Sequence, residues 1–223
     1  VKTVLMDGSM YLNASLFRTN YKDFQLQTVN PDNTRLSIID TADAFTQGLD
    51  VDLTWLATEQ LTVGYNMALA QAEYTEDTIA VDKGQRLLRA PKFSAALNLD
   101  FVQPIEAGDI RYNMTYSYSS TQRLTNQKLS EMQVEDSGLT LTKSDIYSGS
   151  FDNLNARITF SPRGQNWETA LWATNILDKA YRADGHFELT NSTLAQSGSI
   201  ARPYIRNAPR AVGLEFSYYF GEL

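Results

Sequence analysis

The side chains in this sequence that could do chemistry are few and poorly matched to one another. His186 is the single histidine, and Asp184 and Glu188 flank it at a spacing that would suit a metal ion as well as it suits a solubilising loop. Serines are plentiful, but only His186 could activate one, and neither Gly-x-Ser-x-Gly nor His-Glu-x-x-His occurs. The absence of cysteine removes thiolate metal sites, disulfides and thiol nucleophiles together. Asp50 and Asp52 stand two apart, so on a strand they share a face and could hold a cation or work as an acid/base pair; a solvated surface has the same pattern. The acidic positions Asp77, Asp82, Glu131, Glu135 and Asp136 lack EF-hand spacing. The expectation is a protein with no catalytic residue, no metal site and no cofactor.

The elements that would position these residues show a period of two. From Ile110 to Ser119 the chain alternates strictly: Ile110, Tyr112, Met114, Tyr116 and Tyr118 against Arg111, Asn113, Thr115, Ser117 and Ser119. Similar alternation returns around Leu12–Leu16, Leu49–Trp55, Leu61–Leu69, Phe93–Phe101, Leu154–Phe160 and Val212–Phe220, with a mixed strand from Trp167 to about Asn175. Helical spacing is sustained nowhere over three turns. The fold class is therefore all-β, an antiparallel up-and-down sheet of about eight strands.

What each face meets follows from the connections. Short ones lie around Thr58–Gln60, Pro104–Asp109 and Pro162–Gln165; long ones run over roughly Gln25–Ala44, Glu73–Ala90, Thr121–Phe151 and Lys179–Pro209. Several long loops on one side are uncommon in a compact soluble domain and usual in an outer-membrane barrel, whose strands need only about ten alternating residues each. No apolar run is long enough for a spanning helix, and a mean hydropathy of -0.33 is compatible with a spanning barrel. Asp50, Asp52, Lys92, Asp100, Arg111 and Arg157 would face a wet lumen. Trp55, Trp167 and Phe101 would mark an aromatic girdle beside the short turns, with Tyr65, Tyr112, Tyr116 and Tyr118 towards lipid. With 26 acidic against 19 basic residues and a net charge of -7, nucleic acid is excluded as a partner.

Two candidate sites follow from this arrangement. Folding about the Pro104–Asp109 turn sets Asp100 directly opposite Arg111, a structural ion pair that fixes register. Tyr147, Phe151, His186, Phe187 and Tyr204 lie in or beside long loops, where they could line a ligand vestibule or pack loop against loop.

Four local sequences resemble one family. Leu12 to Gln25 ends in Tyr21-Lys22-Asp23-Phe24-Gln25; Thr46-Gln47-Gly48-Leu49-Asp50-Val51-Asp52 opens a strand; Thr174-Asn175-Ile176-Leu177-Asp178-Lys179-Ala180-Tyr181 follows another; and Ala208-Pro209-Arg210-Ala211-Val212-Gly213-Leu214 enters the last. In order and spacing, over about residues 9–220, these are similar to TonB-dependent outer-membrane receptors. The resemblance implies that residues 1–223 are the C-terminal third of a transmembrane barrel of roughly 22 strands, with the plug domain and the energy-coupling TonB box outside this chain. It further implies a Gram-negative outer-membrane location and active import of a scarce large nutrient: a siderophore, haem, cobalamin or an oligosaccharide. The implied partners are outer-membrane lipid and the TonB-ExbB-ExbD complex, reached through the missing N-terminal part. Two other readings of the pattern are a self-contained eight-stranded structural or adhesive barrel and, with less support, a barrel enzyme.

Overall fold

The computed structural model describes residues 1–30, 33–124, 147–185 and 204–220. In chain order the strands are β1 (Lys2–Leu5), β2 (Met10–Asn30), β3 (Asn33–Leu56), β4 (Leu61–Tyr74), β5 (Phe93–Ile105), β6 (Gly108–Ser119), β7 (Phe151–Pro162), β8 (Trp167–Thr174), β9 (Arg182–Gly185), β10 (Tyr204–Arg206) and β11 (Ala211–Tyr218). Nine of them form one antiparallel sheet in the order β1-β2-β3-β4-β5-β6-β7-β8-β11, while β9 and β10 pair as a separate ribbon between β8 and β11. The sheet does not close on itself among the described residues: β1 and β11 each have one neighbour. This is an open sector of wall, unlike a self-contained small barrel.

Tight turns join β1 to β2, β3 to β4, β5 to β6 and β7 to β8 at one end, and the longer connections gather at the other. Gly108, at φ +151, opens β6 at such a turn; a Cβ there would meet the Ser161 carbonyl at 2.2 Å, so only glycine fits.

Register lets both faces be followed across the sheet. Leu12, Leu53, Tyr65, Leu97, Tyr116 and Leu154 pair in one continuous row, and Tyr112, Ile158, Leu171 and Leu214 in another. No second layer covers this face among the described residues; Leu16 is 84 % and Leu214 81 % exposed. Towards the tight turns the same face carries ring contacts: Phe101 with Tyr112 at 5.9 Å, Phe160 with Trp167 at 6.1 Å and Trp167 with Phe216 at 5.8 Å. Towards the long loops it ends in a polar ladder. Arg18 donates to Gln47 (2.8 Å), Gln47 to Gln71 (2.9 Å) and Gln71 to Glu73 (3.0 Å). An apolar band bounded by rings on one side and polar groups on the other is the outer surface of a spanning barrel.

Sequence periodicity leads to one wrong expectation here. The segment from Gln25 to Ala44 is no loop; β2 and β3 stay paired from Phe24↔Ala42 to Thr28↔Ile38, extending well past the apolar band. A bulge at Lys22 and Asp23 interrupts the register between Tyr21 and Phe24 and throws the alternation out of step, which hides the continuation. The nine strands of the main sheet agree with the expected count of about eight; the one without a sequence signal is β1, whose four residues are too short for a period.

Beyond the band, the connection after β4 folds back over the extended hairpin. Leu26, Ala42, Ala44, Tyr74, Ala80 and Val81 form a buried cluster there, with Tyr74 and Val81 almost fully enclosed. Thr78 organises this turn, its hydroxyl accepting from the Ala80 and Val81 amides.

Candidate functional site

The face opposite the apolar band is mostly polar, with small and aromatic residues interspersed. Asn13, Asp52, Asn66, Ala96, Ser117 and Asn153 make one row, and Asn113, Arg157, Trp172 and Gly213 another. Its charges are paired in place. Arg157 grips Glu215 with two guanidinium nitrogens at 3.0 and 2.7 Å and donates through Nε to Thr159 Oγ1 at 3.2 Å. Asn66 Nδ2 donates to Asp52 at 2.6 Å, and Thr115 Oγ1 to Asn98 Oδ1 at 2.9 Å.

Asp100 and Arg111 share this face, with Arg111 Nε 3.7 Å from Asp100 Oδ1. They are not directly opposite: Asp100 faces Asn113, and Arg111 faces Val102. The turn falls where the sequence places it, and pairing Pro104 with Asp109 and Ile105 with Gly108 carries Asp100 to Asn113, two residues beyond Arg111, so the two charges meet on the diagonal while Asn113 donates to Asp100. Both side chains are substantially exposed, so the pair adds little stability.

Where the polar face approaches the long loops it hollows into a chamber of about 790 Å³, walled by Asp50, Asp52, Arg89, Ser117, Phe151 and Tyr181. Phe151 stacks on Tyr181 with ring centres 4.1 Å apart and planes 11° off parallel. Tyr147 lies in the neighbouring loop, where the Arg123 guanidinium stands 5.8 Å from its ring and Arg123 Nη1 is 3.4 Å from its hydroxyl. Tyr147 thus packs loop against loop. The Tyr204 backbone pairs with Gly185 across the ribbon. His186 and Phe187 lie outside the described residues. The sequence singled out Phe151 but not its partner Tyr181, quoted only within a motif, nor Arg89 and Arg123, which are brought in by a bridge between Leu88 and Arg123 that no spacing encodes. Lys92, expected in the lumen, lies just before β5, where its carbonyl accepts from the Ala70 amide at the end of the polar-face row Phe17, Gly48 and Ala70.

The motif segments act as joints. Asn175, at φ +47, closes the end of β8: its side chain donates to the carbonyls of Lys179 (3.2 Å) and Ala208 (3.0 Å), and its own amide donates to Asn155 (3.0 Å). Lys179 reaches Asp152 on β7 at 2.5 and 2.7 Å, and the Arg210 amide donates to Asp178 at 3.2 Å. Around the β2 bulge Lys22 pairs with Asp43, whose other oxygen accepts from the Asp23 amide at 3.2 Å. Phe24 lies edge-on between Tyr21 and Tyr74, at 5.8 and 6.3 Å. The Lys22 ammonium beside Asp43 holds that carboxyl below the usual carboxylate range, and the Lys22 amine is raised in turn.

Chemically, this face can bind and conduct. Among the described residues there is no cluster of three potential metal ligands.

Comparison with known proteins agrees with this geometry. The family model described as TonB dependent receptor-like, beta-barrel matches residues 1–176. No curated protein matches. Among solved structures the chain is similar to the ferric yersiniabactin uptake receptor FyuA of Yersinia pestis (TM-score 0.71, 18% identity, 96% of this chain and 28% of that one). It is also similar to the ferric preacinetobactin receptor BauA of Acinetobacter baumannii (0.63, 16%, 95% and 27%) and to the ferric-catecholate import receptor Fiu of E. coli K12 (0.65, 16%, 96% and 26%). The chain thus spans little more than a quarter of the length of the solved receptors it matches.

Proposed function

The chain belongs to the TonB-dependent receptor-like β-barrel family of the Gram-negative outer membrane, and from that premise we propose that it is the C-terminal wall of an active importer of a scarce large nutrient. The observation that carries this reading is the two-faced open sheet: an apolar band bounded by rings and polar groups outside, a continuous polar and charge-paired surface inside. In this reading residues 1–223 are one segment of the barrel domain. The plug and the segment that engages TonB-ExbB-ExbD belong to the rest of the protein.

Of the nutrient classes considered, a ferric siderophore has the most support, since the three solved structures named above are receptors for ferric yersiniabactin, ferric preacinetobactin and ferric catecholate. Phe151, with Tyr181 beside it, is the residue proposed to meet ligand, along with Tyr147 and Tyr204; His186 and Phe187, outside the described residues, are proposed with them from the sequence alone. Asp100 and Arg111 brace the wall.

The test is uptake of iron-55 chelates by cells carrying the whole receptor, by cells lacking it, and by cells with the receptor but no TonB. Uptake that needs both is the expected result. Uptake independent of TonB, or none with iron-55 siderophore or haem and none with radiolabelled cobalamin or oligosaccharide in the same three strains, overturns the reading.

A further inference from the structure

On the inner face, below the outer chamber, a second hollow of about 330 Å³ opens around Trp172. Trp172 pairs with Arg157 on β7 and with Gly213 on β11, so it shares the polar-face row of Asn113, Arg157 and Gly213. Arg157 is six residues along β7 from Phe151, which sets the indole about 20 Å deeper in the lumen than the Phe151–Tyr181 stack at about 3.3 Å per residue.

The polar groups around Trp172 are spent on one another. Arg157 is neutralised by Glu215 and donates also to Thr159; Asn113 donates to Asp100 and Thr115 to Asn98; the Asn155 side-chain oxygen accepts from the Asn175 amide. Trp172 is the exception. Its ring lies over Gly213, where a Cβ would come within 2.6 Å of Cε2 and 3.0 Å of Nε1, and this holds the half-buried indole along the wall. Its N–H makes no hydrogen bond among the described residues, and it is not sealed away from the hollow. An indole nitrogen can only donate, so what it lacks is an acceptor.

The hollow thus offers a ring surface, one unspent donor and a neutralised pair of charges. A sugar, with hydroxyls all round its ring, needs free donors and acceptors on its flanks, and here the flanking groups are engaged. An aryl ring with an oxygen at its edge needs only a surface to stack on and one donor. We infer that Trp172 is a second ligand station, where an oxygen-bearing aryl group stacks on the indole and accepts from its N–H. Its place on an import path rests on the function proposed above; the binding itself does not.

Fluorine-19 NMR of the full-length receptor carrying 5-fluorotryptophan tests the binding, with catechol or maltose as probe and signals assigned from Trp172→Phe, Trp55→Phe and Trp167→Phe. Catechol should move the Trp172 signal and leave those of Trp55 and Trp167, on the outward face, where they are; maltose at the same concentration should move none of the three. A Trp172 signal that stays put, that maltose moves equally, or that moves only together with the outward pair overturns the assignment. Uptake of ferric catecholate labelled with iron-55 tests the path. Scaled to receptor in the membrane, Trp172→Leu should lower the maximal rate about fivefold with KM unchanged, and Trp172→Phe, which keeps a ring, should recover part of the loss. An unchanged maximal rate, or a rise in KM alone, removes the station from the path. Absence of uptake by the wild-type receptor overturns the import reading, and the fluorine signal then decides the binding by itself.

Discussion

A Cβ on Gly213 would stand 2.4 Å from Cζ2 of Trp172, the residue paired with it across β8 and β11. The ring lies over the glycine and fills the place of its missing side chain, a device that pins register between strands. Gly213→Ala should cost about 1–3 kcal/mol through overpacking and lower the thermal midpoint of the folded barrel. Pairing it with Trp172→Leu should restore most of the loss; if the double variant is no better than the single, the contact is not the cause. At the bulge, Asp43 is the residue to titrate. Its carboxyl is held low by Lys22, so its contribution is complete above about pH 4 and is lost as pH falls through its lowered value; that of Lys22 persists below about pH 10 and is lost as pH rises further. Hydrogen exchange at the Asp23 amide should quicken at both extremes, and Asp43→Asn should abolish the acid limb.

Among the elements, the joint after β8 is dense in hydrogen bonds. Asn175 is 6 % exposed; its side chain bonds to three backbone groups, the Lys179 carbonyl and amide and the Ala208 carbonyl, and its own backbone amide donates to the Asn155 side chain. Asn175→Ala removes one of two side-chain donors from each of the Lys179 and Ala208 carbonyls, which also accept from Asn207, at about 1 kcal/mol. Limited proteolysis between β8 and β11 should accelerate, with the rest of the sheet unaffected. The outer cluster offers a contrast: Tyr74→Ala should cost about 3 kcal/mol locally and expose the 75–90 connection to protease without changing the membrane band.

For the whole molecule the decisive property is the height of the apolar band. Val51 lies within it, paired with Ala14 and Met67, whereas Gln47 lies in the polar ladder. Val51→Arg should destabilise the folded receptor in bilayers by about 2–4 kcal/mol and Gln47→Arg by no more than about 1 kcal/mol. Equal costs would contradict the depth assigned to these residues. The same band explains how a chain with 43% hydrophobic residues presents so many of them to its surroundings.

Strand periodicity, the alternation of short and long ends and the order of the four motifs are local properties, so the sequence by itself determined the two-faced sheet, its membrane setting and the family. A side chain's face depends only on its parity within a strand, and parity survives without knowledge of any partner. What lies across a strand does not: the diagonal Asp100–Arg111 contact, the hidden continuation of β2 and β3 past the bulge and the Phe151–Tyr181 stack each depend on register or on how a connection folds back. A slip of one or two residues at a turn rearranges every pair above it while leaving the alternation unchanged. Only the tertiary structure decided which residues share a chamber, because that contact is set by backbone pairing between segments that no short-range pattern links.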